Sequence, residues 1–209
     1  MTSFPPISPK LQHGSIIAID QITKQLTEIQ FQYNPETLTR RLTAQTASGN
    51  YDKSEAFRLK GPPEETISLE IEIDATDKLE KEDSDTVQNG IYPKLAVLEL
   101  LLYPRSEVVI ANENLAMRGI IEIVPPQAPL TLFYWGTNRK LPVRLTSFSI
   151  TEEAFDPNLN PILAKVSLEL TVLNYMDLGL SSDGGSMFMT HQQQKEQMAK
   201  KNTPGNPNV

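Results

Sequence analysis

Apolar and polar residues alternate strictly from Thr66 to Asp74, T-I-S-L-E-I-E-I-D. A strand turns successive side chains to opposite faces, so Ile67, Leu69, Ile71 and Ile73 share one face and Ser68, Glu70 and Glu72 the other. Ala164 to Leu173 does the same, with Val166, Leu168, Leu170 and Val172 opposite Lys165, Ser167, Glu169 and Thr171. Leu26 to Tyr33 sets Ile29, Phe31 and Tyr33 against Glu28, Gln30 and Gln32. One apolar face and one wet face is the pattern of antiparallel sheet. From Val143 to Thr151 the phase slips, because Val143 and Leu145 are odd-numbered while Phe148 and Ile150 are even. One extra residue near Thr146-Ser147 restores the phase, which predicts a β-bulge there. Shorter strands are expected at Ser15 to Asp20, Gly119 to Val124 and Leu130 to Trp135.

A different period marks Lys94 to Tyr103, where Leu95, Leu98 and Leu102 fall at helical spacing and Val97 and Leu101 widen the stripe. Pro93 suits the first turn of that helix, Pro104 stops it, and Asp83 or Asp85 is placed to cap an earlier turn. One helix among many strands gives an α+β chain, mainly β, built as an antiparallel sandwich or barrel that carries one principal helix. The expected organisation is a proline-rich arm over residues 1–13, a β domain over 14–178, and a polar tail over 179–209. Asp74 to Asn89 reads as a solvated acidic loop. Ser181 to Val209 is rich in Gly, Gln, Lys, Asn and Pro and almost lacks aliphatic residues, so it reads as a flexible extension. Thr190 to Lys201 within it suits a short polar helix that orders against a partner. Deleting Ser181 to Val209 is accordingly expected to leave the domain folded.

The chain of 209 residues is long enough to bury a core without staples, and it contains no cysteine, which removes disulfides, thiolate nucleophiles and cysteine zinc sites together. A net charge of −7 and a pI near 4.9 disfavour binding to phosphate backbones. Arg40-Arg41 and Lys200-Lys201 are too short to form a basic patch. Met1 to Lys10 holds three prolines and no apolar centre, so it does not read as a secretion signal. No apolar run approaches the roughly 20 residues of a spanning helix. These features lead to an expectation of synthesis in the cytoplasm and of no membrane insertion.

No group of residues suggests a reaction centre. His13 and His191 are the only histidines, and both fall in segments expected to be loose ends, so a Ser-His-Asp arrangement lacks its base. Asp74, Asp77, Glu80, Glu82, Asp83 and Asp85 offer oxygen ligands, but the EF-hand spacing is missing and Lys78 and Lys81 interrupt them. Glu152, Glu153 and Asp156 precede Pro157 in a turn without an aromatic platform for a sugar. Gly184-Gly185 lies outside any strand-to-helix context, and Arg40 and Arg41 read as surface or interface charges. The expectation is a non-enzymatic protein with no cofactor, no metal and no nucleic-acid partner. What remains are strand edges, which accept strands from neighbours, and two extensions that order on partners.

Two stretches carry a family resemblance. One is Phe31-Gln32-Tyr33-Asn34-Pro35-Glu36-Thr37-Leu38. The other runs from Pro125-Pro126 through Leu132-Phe133-Tyr134-Trp135-Gly136 and Val143 to Ile150. It continues through Ala154-Phe155-Asp156-Pro157-Asn158-Leu159-Asn160-Pro161-Ile162-Leu163-Ala164 into the strand Lys165 to Leu173. Together they resemble the tube-like domain of contractile injection system adaptor proteins, the baseplate proteins of phage tails and phage-tail-like particles that often carry a LysM module. The resemblance spans Ile16 to Leu173. It departs from the family at Leu141-Pro142, where glycine commonly precedes the valine, and at Leu163, where arginine is frequent. The polar residues from Asn174 to Val209 are not expected to form a LysM-like module.

The resemblance implies a tail-tube type of fold and a structural subunit that joins the inner tube to the baseplate or spike. It also implies a self-assembled ring, expected to be hexameric, and inner-tube, spike or hub, and baseplate proteins as partners. Readings of other kinds are an inner-tube or tube-initiator ring subunit, and a carbohydrate-binding or hydrolytic β-sandwich. Tyr33, Asn34, Pro35, Phe133, Trp135, Gly136, Phe155 and Asp156 stand out as interface or structural anchors. For Phe133 and Trp135 the expected role is core packing.

Overall fold

The structure is a computed structural model that describes residues 12–20, 24–46, 58–119 and 128–202. Its strands are β1 (Ser15–Ile19), β2 (Leu26–Gln30), β3 (Leu38–Thr43), β4 (Glu64–Asp74), β5 (Leu130–Trp135), β6 (Arg139–Phe155) and β7 (Pro161–Val172). Its helices are α1 (Thr76–Leu79), α2 (Ser84–Asn89), α3 (Tyr92–Glu99), α4 (Ser106–Met117), α5 (Tyr175–Leu178) and α6 (Asp183–Lys201). The strands form one sheet in the order β2-β1-β5-β6-β7-β4-β3, antiparallel at every pairing. The mainly-β, α+β expectation therefore stands, and the strands form one seven-stranded open sheet.

Alternation sets which face is buried. Ile67, Leu69, Ile71 and Ile73 of β4 lie in the core beside Ala164, Val166, Leu168, Leu170 and Val172 of β7. On β6, Val143 and Leu145 face the same core; beyond the slip, Phe148 and Ile150 pack against it. The slip is a register shift between Leu145 and Ser147, and the Thr146 hydroxyl donates to the Glu169 carbonyl at 3.0 Å. The predicted bulge is present, and it keeps the apolar face pointing inward from Val143 to Ile150; further register shifts follow between Glu152 and Phe155.

The sheet curves enough to bring the residues after β2 near the end of β4. Gln32, just past β2, accepts at Oε1 from the Asp74 main chain at 3.3 Å and from Lys94 Nζ at 2.8 Å, although four strands separate β2 from β4 in the sheet. Helix α3 lies beside that contact through Lys94. It begins two residues earlier than expected and ends at Glu99; Leu95 and Leu98 are buried in it and Leu101 just after it, while Leu102 is exposed. Four segments correct the sequence expectations. The supposed acidic loop contains α1 and α2, the second capped by Asp83, whose carboxylate accepts from the Thr86 main chain at 3.0 Å. Helix α4 and strand β3 were not anticipated. The supposed flexible tail is largely α6. The expected strand at 119–124 and nearly all of the proline-rich arm fall outside the described residues.

Candidate assembly surface

Most of the residues singled out in the sequence are structural. Phe133 is fully buried, opposite Leu141 on β6 and Ile16 on β1, and its ring stacks on Trp135 at 6.0 Å. Trp135 is half-buried and lies flat against Gly14; a Cβ at Gly14 would stand 2.7 Å from the indole, so only glycine allows this approach. Asn34 ties the turn after β2 to the start of β1: its Oδ1 accepts from the Gly14 main chain at 2.9 Å and its Nδ2 donates to the Gln12 carbonyl at 2.8 Å. Pro35 is half-buried beside it. Gly136 turns β5 into β6 at φ +67, in the left-handed region that glycine tolerates.

Asp156 organises the β6–β7 turn. Its carboxylate accepts from the main chain of Asn158 at 2.7 Å and Asn160 at 2.8 Å, and from the Asn160 amide at 2.9 Å. These bonds, the Asn160 side chain first, hold its carboxyl below the usual range. Of the eight anchors, Tyr33, Gly136 and Phe155 are exposed, and Tyr33 and Phe155, at 47% and 48%, are the two with exposed side chains. They are the two that remain available to a partner.

Helix α6 fills the space beside the first residues of β6, where β7 has already ended. Ser182 caps it, Gly184 lies against Leu130 and Pro142, and Phe188 enters the core with its ring edge on Tyr175 at 6.1 Å. His191 is 6% exposed, and neither ring nitrogen has a hydrogen-bond partner. Both histidines were expected to be exposed. His191 is instead covered by its helix, and His13 is half-buried with Nδ1 shielded from solvent.

A polar cluster surrounds His191. Glu65 is only 4% exposed and accepts from Arg40 Nε at 2.6 Å; Lys195 of α6 approaches its other oxygen at 3.5 Å. Arg139 faces the same carboxylate, and burial, then Arg40, lowers its pKa. Arg40 is therefore not a free surface charge: it neutralises a carboxylate on the core side of β4. A buried ion pair of this kind is costly to break from one side, because the remaining charge is stranded.

Burial, then Lys195, pushes His191 below its ordinary pKa, with Glu65 and the Asn138 main chain pulling the other way and Arg40 adding to the repulsion. The folded chain thus prefers the neutral ring. The stability this confers is complete above about pH 6.5 and is lost as the pH falls below that value. The unfolding free energy of the native chain should drop more steeply between about pH 6.5 and pH 5 than that of His191→Gln, with a slope difference of at most about 1.4 kcal/mol per pH unit. Parallel curves of unfolding free energy against pH for the two proteins across that range would show that His191 is not the responsible group.

Among the described residues, no three histidines and carboxylates gather as a metal site would require. Glu153 pairs with Lys165 at 2.9 Å, and Asp156 is committed to its turn. A wide cleft of about 1080 Å³ between the start of α6 and the ends of β4, β6 and β7 holds Glu64, Arg144, Asp177 and Asp183 on its walls, without a nucleophile and base in contact. No described helix is long and apolar enough to cross a membrane.

What the surface offers is edges and faces. Among the described residues β2 and β3 each pair on one side only. The outer face of β3, β4, β7 and β6 is an even lawn of Thr39, Ser68, Glu70, Ser147, Ser149, Ser167 and Glu169 over a shallow hollow. A scan against protein-family models finds no match, and a search of curated proteins finds no similar chain.

Proposed function

We propose that this chain is a non-enzymatic structural subunit of a contractile, phage-tail-like injection particle, made in the cytoplasm and built into a ring where the inner tube meets the baseplate or spike. The observation that carries this reading is the open antiparallel sheet, whose two edge strands β2 and β3 have an unpaired side among the described residues. Unpaired edges are assembly elements when a neighbour covers them, and head-to-tail covering with closure gives a ring. The even hydroxyl and carboxylate face suits a wall more than a site, since nothing on it converges on one reacting atom. The partners proposed are further copies of this chain in a ring of expected sixfold symmetry, inner-tube proteins, and spike, hub and baseplate proteins.

An inner-tube subunit is the nearest rival. Helix α4 and the outer half of α6 favour the adaptor, because elements that stand away from the body give contacts beyond one stacked ring. The test is to tag the chain in a cell that produces such particles, purify the particles and reconstruct them. Density for one ring of this chain between tube and spike is the expected result. Particles that lack the chain, or purified chain that binds or hydrolyses glycans, would overturn the proposal.

A further inference from the structure

Two helices carry apolar side chains out into solvent. None of the residues of α4 is buried, and Val109, Ile110 and Met117 are 49%, 61% and 75% exposed. Its outward face runs Glu107, Ile110, Asn114 and Met117, at the three- and four-residue spacing that places side chains together, with Glu113 alongside. Helix α6 docks by its first half, and Lys195 beyond it reaches back to Glu65 at 3.5 Å. Residues 193–200 are all exposed, and Met198 and Lys201 share a face there. Such a helical half, exposed all round, is marginal by itself in water.

The charges match. Helix α4 carries two glutamates and no basic residue, while α6 from residue 192 onward carries three lysines against one glutamate. The apolar centre on α4 is Ile110, between Glu107 and Glu113, and that on α6 is Met198, beside Lys201, so the flanking charges are of opposite sign.

The two elements also leave opposite ends of β5. Arg105, which caps α4, is held by Asp20 at 2.9 Å, and Asp20 follows Ile19, the partner of Leu130 at the start of β5. Helix α6 passes Leu130 at Gly184, comes level with the Asn138 main chain of the β5–β6 turn at His191, and continues beyond it. We infer that α4 of one copy receives the outer half of α6 of the next, a head-to-tail contact between copies of this chain. The two surfaces differ, so the contact propagates beyond a pair. This rests on reading the chain as a self-assembling subunit, and it names which surfaces meet.

The native sequence has no cysteine, so introduced thiols report without background. Purified Ile110→Cys/Met198→Cys chain, mildly oxidised, should give a ladder of covalent species beyond the dimer, and each single variant should stay monomeric. Sedimentation should show self-association weakened about tenfold or more by Glu107→Lys and equally by Lys201→Glu, and recovered when the two changes are combined. Circular dichroism checks that the exposed variants remain folded. A double-cysteine chain that yields only monomer, a single-cysteine variant that dimerises efficiently, or charge changes that fail to rescue each other would overturn the inference. Because purified chain alone is used, absence of the chain from particles would leave this result standing, and a missing ladder would leave the particle test untouched.

Discussion

Replacing Phe133 by alanine is expected to cost about 3–5 kcal/mol of stability, the range for removing a fully buried aromatic ring. The ring is inaccessible to solvent and is covered by Ile16 and Leu141 on the neighbouring strands. It also supports the plane of Trp135, which closes over Gly14. Two elements therefore lose packing at once, β1 through Ile16 and the β5–β6 turn through Trp135. Phe133→Leu keeps most of the volume and should cost nearer 1 kcal/mol. Trp135→Ala, at a half-buried position, should fall below the Phe133→Ala loss, at about 2 kcal/mol. The chain has one tryptophan, so its own fluorescence follows urea unfolding of the Phe133 variants. A loss under about 1 kcal/mol for Phe133→Ala would mean that the ring is not where the core is closed.

The elements legible in the sequence are those whose burial follows a simple period. Strands β4 and β7 bury one face with every second residue, and even the bulge in β6 showed as a phase slip because the core must stay on one side. Strand β3 escaped because Arg40 occupies a core-side position between Leu38 and Leu42; an arginine there fits only because Glu65 lies beneath it on β4. No local pattern reports a partner 25 residues away. Helix α4 escaped for the opposite reason: it buries nothing, so no stripe had to form. Helix α6 was legible only in its outer part, expected as a polar helix over Thr190 to Lys201, because its first half carries few apolar residues. It meets the body mainly through Phe188 and His191, with Met189 beside them. The anchors fared better: Phe133 was expected in the core and lies there, while the role of Asn34 as a staple between β1 and the turn after β2 needs the fold to be visible.

Ending the chain at Ser182 is expected to lower stability by about 3–5 kcal/mol, contrary to the sequence expectation that the tail is dispensable for folding. Phe188 contributes about 1.5–3 kcal/mol by burial, and its edge contact with Tyr175 about 0.5–1.5 kcal/mol more. The larger difficulty is electrostatic. Without α6, Lys195 is lost from Glu65, His191 no longer covers the pair, and Arg139 and Arg40 face each other across one carboxylate that water now reaches. A chain ending at Gln192 separates these effects, because it keeps Phe188 and His191 but loses Lys195 and the outer half of the helix. That shorter deletion should cost under about 1 kcal/mol, the scale of a half-exposed ion pair, and should still abolish the contact between copies. Urea unfolding and sedimentation of the two truncated chains give the comparison directly. Equal stability of the native chain and the Ser182 truncation would mean that α6 is not docked in solution. A Gln192 truncation that is folded but monomeric would assign the inner half of the helix to the fold and the outer half to assembly.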